Sequence, residues 1–348
     1  MKKTNLNVVL ALHDKNGEYS KFAATTIISI FENMKIENRC NVTIHILHDK
    51  TLTYNNRNKF IELLNNYNAN IKFHEINIMK LNFTNEVFEK LQSVTIGALF
   101  RLFIPQIFSD MDEVLYLDTD IIVNCDLIEM IQDINLTGYF IASVLDDEKT
   151  RQNYINTNYY RMKGVDYKKY FNSGVILFNI KEINKNMNFL KKAINLLDSK
   201  LFFVDQDILN IIFRKKVYFL DYRFNLLIDF RERSVDEINE LLNKKAILHF
   251  AGYFKPWNCD NQNVIKNYFS YMLLSPWVNN KQDIVNIMSD IAFEYNKKLN
   301  LKNCLKLKKK ETGTDNIFLL LKLFTSNQLF FKLKVKIECI VLKLKLIK

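Results

Sequence analysis

Short apolar runs alternate with segments of helical periodicity along most of the chain, and this alternation limits the folds that the sequence can adopt. The run Val8–Leu12 is followed by a helical pattern over Lys21–Asn33 and then by a second run at Val42–Leu47. Further predicted strands are Ile71–Ile76, Val114–Leu117, Ile141–Leu145, Gly174–Asn179 and Ala246–Phe250, and further predicted helices are Asn55–Tyr67, Ala98–Phe108 and Ile208–Phe213. Strands separated by helices of about 10–15 residues form βαβ units. The sequence therefore predicts an α/β fold with a mainly parallel, Rossmann-like sheet flanked by helices.

Basic charge is concentrated at the end of the chain. Residues 297–348 carry 14 Lys and three acidic residues, which leaves 35 basic and 35 acidic residues in 1–296. A formally neutral body lacks the basic face of a nucleic-acid-binding domain, so we expect no nucleic-acid partner. In the tail, Lys alternates with Leu, Ile and Phe, which favours contact with an anionic membrane surface over a purely solvated tail. We expect a main domain at 1–280 and a helical, basic, membrane-associating extension at 281–348.

The cysteines and the N-terminal sequence both favour a cytoplasmic location. The five cysteines are widely spaced and form no Cys-x-x-Cys pair, which argues against a disulfide framework or a cysteine-based zinc site. The run Val8–Leu12 is too short for the core of a signal peptide, and we expect it to be a strand. No uncharged apolar stretch reaches the roughly 18 residues of a membrane span. We expect the chain in the reducing cytoplasm, with the tail as its membrane contact.

Two carboxylates stand at the end of a predicted strand, within the segment Leu115–Val123. Ligands of open α/β sheets bind at the carboxyl ends of the strands, which is where Asp118 and Asp120 fall. Their hard oxygens suit Mn²⁺ or Mg²⁺, and such an ion can bridge the phosphates of a nucleotide diphosphate. The structural alternative is a turn cap that follows a core strand.

A histidine stands at the end of the last predicted strand. His249 follows the apolar stretch Ala246–Leu248, and a neutral imidazole is a suitable third ligand for Mn²⁺. Three residues later Gly252 would let the backbone approach a phosphate, and Lys255 would supply a positive charge to it. The structural alternative is a half-buried histidine beside an aromatic turn.

Five motifs occur in an order that is more specific than any one of them. They are Arg101, Asp118-Thr119-Asp120, Asn172-Ser173-Gly174, Asp205-Gln206-Asp207 and the segment His249–Trp257. Over roughly residues 6–280 the chain thereby resembles glycosyltransferase family 8, and within it the bacterial lipooligosaccharide and lipopolysaccharide galactosyl- and glucosyltransferases. The resemblance implies a GT-A catalytic domain over 1–280, a UDP-sugar donor, Mn²⁺ with Mg²⁺ as the alternative, and retention of the anomeric configuration.

The resemblance also implies a role for each matching residue. The implied metal ligands are Asp118, Asp120 and His249. The implied contacts to the donor nucleotide and its diphosphate come from Ala11, Asp14, Arg101, Thr119, Gly252 and Lys255. The implied contacts to the donor sugar or the acceptor come from Asp146, Asn172 and Ser173. The implied catalytic pair beside the anomeric carbon is Asp205 and Gln206.

Several of these positions also have a purely structural explanation. Arg101 could be a solvated helix arginine, and Asp146 could cap a turn. A simple turn before a strand would explain Asn172 and its neighbour Ser173. Asp205 could be the N-cap of the helix that follows it.

The family pattern bears on the mechanism and on the nucleotide base. Retention through a covalent intermediate needs a carboxylate nucleophile, whereas the group expected on that face of the sugar is the amide of Gln206. We therefore expect front-face attack, in which the leaving phosphate deprotonates the acceptor hydroxyl. The segment Ala11-Leu12-His13-Asp14 departs from the family pattern, because His13 replaces an acid expected near the uracil. Base preference is thus less firmly implied than the metal site.

The resemblance implies a retaining glycosyltransferase that moves galactose or glucose from a UDP-sugar to a glycan, and with the basic tail we expect a lipid-linked cell-surface saccharide as the acceptor. The expected location is the inner face of the bacterial plasma membrane. One alternative is a non-catalytic protein that binds a nucleotide-sugar or a glycan. Another is a phosphatase with an Asp-x-Asp nucleophile, although that motif normally lies on the first strand and here follows several.

Overall fold

The computed structural model describes residues 5–78, 96–148, 151, 164–197, 201, 203–228, 234–252, 255–257, 261–280, 282–284 and 286–287. The chain divides into two compact units, residues 1–229 with 243–251 and residues 230–242 with 252–348. The basic tail lies outside the described residues, and both its predicted membrane contact and the predicted boundary at residue 280 stay predictions. Within the described part of the chain, no helix has the length and apolar character needed to cross a membrane.

The first unit is built on a seven-stranded sheet. Its strands are β1 (Leu6–Leu12), β2 (Val42–His48), β3 (Asn70–Glu75), β4 (Glu113–Leu117), β6 (Ile141–Leu145), β7 (Phe171–Asn179) and β8 (Val217–Phe219), and their order is β3-β2-β1-β4-β7-β6-β8. Every pairing is parallel except the two made by β7. A smaller sheet has the order β5 (Ile121–Val123), β10 (Ile247–His249) and β9 (Leu226–Leu227). The predicted α/β fold with a mainly parallel sheet is confirmed.

Helices connect most of these strands. In the described part of the first unit they are α1 (Ser20–Glu32), α2 (Ile36–Arg39), α3 (Tyr54–Asn66), α4 (Ile96–Leu99), α5 (Ile104–Ile107), α6 (Leu127–Ile131), α7 (Ile180–Asn186), α8 (Phe189–Leu197) and α9 (Val204–Phe213). Short 3₁₀ helices among the described residues lie at Phe100–Phe103, Tyr167–Lys169 and Tyr222–Asn225. In the second unit the described helices are α10 (Val235–Leu242) and α11 (Gln262–Met272). The side chain of Asn261 caps the first turn of α11.

The core lies on both faces of the central strands. Val8, Val9 and Leu10 of β1 are fully buried, as expected for a strand covered on both sides. On one face the rings of Phe189 and Phe213 stack with their centroids 4.9 Å apart. Burying each such ring contributes about 2–3 kcal/mol relative to leaving it in water. This packing holds the strand ends in place, so that polar residues there can form a defined site.

Three details differ from the predicted elements. The predicted helix Ala98–Phe108 is two short α-helical turns joined by the 3₁₀ turn Phe100–Phe103, and Pro105 falls in the first turn of α5. Strand β7 begins at Phe171, so Asn172 and Ser173 are strand residues and not a turn before the strand. The strands β5, β8 and β9 have only two or three residues each, too few for periodicity to reveal them.

The small sheet brings the histidine motif to the Asp-x-Asp motif. Strand β5 follows Asp120 directly, and it pairs antiparallel with β10 so that His249 lies opposite Ile121. The N–H of Phe250 donates to the carbonyl oxygen of Asp120 at 3.0 Å and continues this ladder. The Thr26 hydroxyl of α1 donates to the carbonyl oxygens on both sides of Asp120 at 3.0 Å and 2.8 Å, which fixes the loop that carries the carboxylates.

Candidate metal and donor site

Three ligand atoms converge at the carboxyl end of β4. One atom each from Asp118, Asp120 and His249 lie within 4.8 Å of one another. The Nε2 atom of His249 is 3.3 Å from Oδ1 of Asp120 and 3.8 Å from Oδ2 of Asp118. Two carboxylates and one imidazole are a donor set that suits Mn²⁺, and the spacing would let all three atoms reach a common ion.

The other nitrogen of His249 is held by an asparagine. The Nδ1 atom lies 2.9 Å from Oδ1 of Asn225, the last residue of a 3₁₀ helix. An amide oxygen can only accept, so Nδ1 carries the proton and Nε2 is the atom presented to the carboxylates. Metal-ligating histidines are oriented in this way, with the second ring nitrogen donating to an oxygen. The residues present therefore fit a divalent cation.

Asp118 is held in place by an arginine and a tyrosine. Its Oδ1 atom accepts from Nη2 of Arg101 at 2.7 Å and from the Tyr116 hydroxyl at 2.6 Å. Burial alone would lower the pKa of the Arg101 guanidinium, but Asp118 and other acidic neighbours hold that pKa above its ordinary value. Arg101 is only 4% exposed, so its interpretation as a solvated helix arginine is wrong. With Oδ1 fixed in this way, Oδ2 is turned towards His249.

Gly174 lies directly against the candidate metal-binding cluster of Asp118, Asp120 and His249. A Cβ atom at this position would collide with Cε1 and Nδ1 of His249 and would lie 2.9 Å from Oδ2 of Asp118. The backbone of Gly174 also contributes, because its carbonyl oxygen accepts from the N–H of Asp118 at 2.8 Å. A residue without a side chain is therefore needed here to let the imidazole and the carboxylate come together.

A second group of polar side chains lies at the adjacent ends of β6, β7 and α9. The Oδ2 atom of Asp146 accepts from Nε2 of Gln206 at 2.8 Å, and its Oδ1 atom faces Nδ2 of Asn172 at 3.4 Å. The Oε1 atom of Gln206 in turn accepts from the N–H of Ser173 at 2.9 Å. Burial raises the pKa of the Asp146 carboxyl group, and these hydrogen bonds oppose the rise. The three residues predicted to contact the sugar or the acceptor thus belong to one hydrogen-bonded group with Gln206, which was predicted to be catalytic.

Asp205 lies between this group and the arginine. Its Oδ2 atom is 3.2 Å from Nε of Arg101 and 3.5 Å from the Ser173 hydroxyl. Burial raises the pKa of the Asp205 carboxyl group, and Arg101 opposes that rise. The interpretation of Asp205 as the helix N-cap is wrong, because Phe203 occupies the N-cap position of α9 and Asp207, not Asp205, accepts from the Phe203 N–H at 2.9 Å. The Asp205 carboxylate therefore faces Arg101 from the first turn of α9.

The loop after β1 is organised by a buried aspartate. Asp14 is 1% exposed, and its carboxylate accepts from the N–H groups of Tyr19 and Ser20, from the Ser20 hydroxyl and from Nδ2 of Asn56. Its hydrogen bonds in the structure are thus to the protein, and the predicted contact to the donor stays a prediction. The Asp14 side chain holds the loop that carries the half-buried phenol of Tyr19, whose pKa is raised by burial and by the nearby Asp120.

The remaining predicted donor residues fall into two groups. Ala11 is buried near the end of β1, and Thr119 is buried between the two carboxylates. Gly252 and Lys255 belong to the second unit, and their predicted contact with the donor diphosphate stays a prediction. Gly252 has a φ of +91°, a backbone conformation that favours glycine. His13, the departure from the family pattern, has its Nδ1 atom 2.6 Å from Oδ2 of Asp49.

Residues 8–261, well over half of the chain, match the model of glycosyl transferase family 8. The chain belongs to this family. The resemblance predicted from the ordered motifs is confirmed, and family 8 membership argues against the Asp-x-Asp phosphatase alternative. The cluster at Asp118, Asp120 and His249 therefore lies in a glycosyltransferase.

Individual relatives of the chain agree with the family. General stress protein A of Bacillus subtilis (strain 168) is 26% identical over 298 residues, which are 80% of this chain and 96% of that protein. A lipopolysaccharide 1,2-glucosyltransferase of Escherichia coli is 29% identical over 278 residues, which are 75% of this chain and 77% of that protein. Among solved structures, galactosyltransferase LgtC in complex with donor and acceptor sugar analogues superposes with a TM-score of 0.59 at 21% identity, over 76% of this chain and 96% of that chain. This likeness confirms the predicted GT-A fold.

Sequence reasoning missed several residues of this family 8 site. Tyr116 lies in the apolar strand before the Asp-x-Asp motif and carries no signal beyond its hydroxyl group. Gly174 stands in a recognised motif, but its contact with His249 depends on the pairing of distant strands. Asn225 is the last residue of the short 3₁₀ helix Tyr222–Asn225 and directly precedes the two-residue strand β9, and no spacing or periodicity marks it.

Proposed function

We propose that this family 8 member is a retaining hexosyltransferase that transfers galactose or glucose from a UDP-sugar to a glycan, with a divalent cation as cofactor. The observation that carries the proposal is the convergence of Asp118, Asp120 and His249 Nε2 at the carboxyl end of β4. The homologous lipopolysaccharide glucosyltransferase supports a hexose donor and a saccharide acceptor.

Asp118, Asp120 and His249 would hold the cation, with Mn²⁺ as the preferred ion and Mg²⁺ as the alternative. Once bound, the ion supplies positive charge to the diphosphate and so stabilises UDP as a leaving group. Arg101 fixes Asp118, and Asn225 fixes the imidazole, so both are positioned before substrate arrives. We assign the diphosphate contacts to Gly252 and Lys255, and the nucleoside contacts to the loop after β1.

The donor sugar would lie against the group formed by Asp146, Asn172, Ser173, Asp205 and Gln206. Carboxylate and amide groups of this kind select a hexose by hydrogen bonds to its hydroxyl groups, because a missing partner leaves a buried polar group unsatisfied. Their arrangement is supported by the hydrogen bonds among them, which hold each side chain in one orientation.

Front-face attack is the mechanism that these side chains support best. The amide of Gln206 is a poor nucleophile, and its orientation is fixed by Ser173 and Asp146. Asp205 is paired with Arg101, which weakens it as a nucleophile. The acceptor oxygen would bond to the anomeric carbon while the bond from that carbon to the phosphate oxygen breaks, and the hydroxyl proton would pass to the departing phosphate. A glycosyl adduct trapped on Asp205 or Gln206 would contradict this mechanism.

We further propose that the acceptor is a lipid-linked saccharide at the inner face of the bacterial plasma membrane, and that the basic tail attaches the enzyme there. The 14 Lys of residues 297–348 support this proposal, since each basic residue near an anionic surface contributes about 1 kcal/mol to binding. Co-sedimentation with phosphatidylglycerol vesicles should fall as salt rises. Equal binding to neutral phosphatidylcholine vesicles would contradict it.

The test of the proposed function is UDP release from UDP-sugars by the purified protein, with and without Mn²⁺. Metal-dependent release from one donor, lost in Asp120→Ala, would identify the sugar without knowledge of the acceptor. Asp112→Ala is the matched control, because the Asp112 side chain is 82% exposed and bonded only weakly to Lys181 at 3.7 Å. No release with any donor, combined with metal-dependent UDP binding, would favour the non-catalytic binding protein instead.

A further inference from the structure

One asparagine side chain touches both the metal-binding cluster and the sugar-side group. The Oδ1 atom of Asn225 lies 2.9 Å from Nδ1 of His249, and its Nδ2 atom lies 2.8 Å from Oδ1 of Asn172. Asn225 is 2% exposed, so water does not compete for these bonds. The two ends of the amide therefore serve two different parts of the site.

The orientation of this amide follows from its neighbours. The Oδ1 atom of Asn172 also accepts from the N–H of Gly174 at 2.9 Å, and a backbone N–H can only donate. The side-chain oxygen of Asn172 must therefore face Asn225, and the NH₂ group of Asn225 must donate to it. The remaining end of Asn225 is its oxygen, which requires the proton of His249 to be on Nδ1. One hydrogen-bonding arrangement satisfies all of these groups.

The same contacts extend to the residues assigned to the donor sugar. Asn172 faces Asp146 at 3.4 Å through its Nδ2 atom, and Asp146 accepts from Gln206 at 2.8 Å. A continuous series of contacting side chains thus connects the imidazole of His249 to the amide of Gln206. Movement of Asn225 would disturb the imidazole at one end of this series and Asn172 at the other.

We propose that Asn225 is a positioning residue that couples cation binding to donor-sugar binding. The inference rests on the proposed function, since it takes the cation and the hexose as the ligands of the two groups. A cation at Nε2 stabilises the ring orientation that Asn225 supports, and the same Asn225 orientation holds Asn172 ready for the sugar. Each ligand therefore favours the arrangement that the other needs, which makes the coupling reciprocal.

Two substitutions at this position separate the two contacts. Asn225→Ala removes both hydrogen bonds. Asn225→Asp keeps an oxygen for Nδ1 of His249, and its charge strengthens that bond. The aspartate cannot donate to Asn172, and Asn172 cannot rotate without losing the N–H of Gly174. The first variant should therefore damage both functions, and the second should damage only the sugar side.

The experiment measures Mn²⁺ affinity by the loss of the free-ion electron paramagnetic resonance signal, and then UDP, UDP-galactose and UDP-glucose affinities by calorimetry at saturating Mn²⁺. We expect Asn225→Ala to weaken Mn²⁺ binding by roughly 10–100-fold, the usual effect of losing an outer-shell partner. Asn225→Asp should bind Mn²⁺ at least as tightly as the wild type. Its affinity for the donor hexose nucleotide relative to UDP should fall about fivefold or more.

Thermal unfolding of each variant separates this role from a general loss of stability. Asn179→Ala is the control, because its side chain bonds to backbone carbonyl oxygens of Leu136 and Tyr139 and not to the site. It should lower stability and leave both affinities unchanged.

Two results would overturn the inference alone: unchanged Mn²⁺ affinity in Asn225→Ala, or an unchanged preference for the hexose nucleotide over UDP in Asn225→Asp. A wild-type protein that binds neither Mn²⁺ nor UDP would remove the proposed function, and the inference with it. The wild-type titration therefore distinguishes the two failures.

Discussion

His249 and His45 are both buried in the first unit, and their surroundings differ in charge. The Nε2 atom of His249 faces the carboxylates of Asp118 and Asp120 at 3.8 Å and 3.3 Å. The Nδ1 atom of His45, on β2, lies 3.0 Å from Nε2 of His74. One imidazole is thus surrounded by groups that attract a cation, and the other is paired with a second imidazole.

The surroundings of His45 on balance favour its neutral form. Its Nε2 atom lies 3.1 Å from Oδ1 of Asn7, and the ring packs edge-on against Phe108 with the centroids 4.9 Å apart. Burial first, and then His74 and Lys72, lower the pKa of His45 to about 4. The comparison shows that burial alone does not mark a functional histidine. The carboxylates opposite one ring nitrogen and the fixed proton on the other distinguish His249 from His45 and support its proposal as the metal ligand.

The largest expected effect comes from removing the negative charge of Asp120, one of the two carboxylates next to His249. Asp120→Asn keeps the size of the side chain but removes the charge, so metal-dependent UDP release should fall at least about 100-fold. Release assays over a Mn²⁺ concentration series check this, since added Mn²⁺ should restore part of the activity. Full activity in the variant would mean that the cluster of Asp118, Asp120 and His249 has only a structural role, like the pair formed by His45 and His74.

The next largest effect is steric. Gly174→Ala puts a Cβ atom into the space of the His249 ring and should weaken Mn²⁺ binding by roughly 10–100-fold, like other losses of ligand orientation. Metal titration measures this. Gly138→Ala is the matched control, because Gly138 has a φ of +81° and nothing within 4 Å of the added Cβ. That variant should lose about 1 kcal/mol of stability and no Mn²⁺ affinity. Equal Mn²⁺ affinity in both variants would contradict a close contact between Gly174 and the His249 ring.

The third effect is on stability, and it belongs to the His45 region. Protonation of His45 is disfavoured in the fold, so the unfolded chain binds more protons between its ordinary pKa of 6.5 and the lowered pKa of about 4. The contribution of His45 should therefore be constant above pH 6.5, and it should lower the free energy of unfolding by about 2 kcal/mol on acidification to pH 4, allowing for solvent near the pair. Urea unfolding of the wild type and of His45→Asn at several pH values measures how the slope of the unfolding free energy against pH differs between the two proteins.

Asn7→Asp sharpens the same comparison by giving His45 a carboxylate neighbour. The new charge opposite Nε2 should raise the pKa of His45 and reduce the loss of stability between pH 6.5 and 4. If the dependence of the unfolding free energy on pH is the same as in the wild type, a histidine other than His45 titrates between pH 6.5 and 4.

The smallest expected effect is at Tyr116. Tyr116→Phe removes one of the two hydrogen bonds to Oδ1 of Asp118 and leaves Arg101 in place. We expect a two- to fivefold weaker Mn²⁺ affinity, about the contribution of one hydrogen bond. A loss as large as that of Asp120→Asn would show that the tyrosine and not the arginine orients Asp118.

The sequence predicts the main strands and the residues at their ends well, and it says little about the side chains that hold those residues in place. The convergence of Asp118, Asp120 and His249 could be predicted because each lies at the end of an apolar run long enough to be recognised as a strand. Asn225 and Gly174 could not be assigned their contacts, because these depend on which distant segments pair. The predicted start of β7 is wrong because Asn172 and Ser173 are turn-forming residues in isolation, whereas in the fold their hydrogen bonds to β6 and α9 keep them extended.

The most direct test of the account is the position of the cation itself. A crystal of the protein grown with Mn²⁺ and UDP should give an anomalous difference peak at the manganese edge between Asp118, Asp120 and His249 Nε2, with Nδ1 still bonded to Asn225. A structure with UDP bound and no peak among these three residues, or with His249 turned away from them, would contradict the central claim.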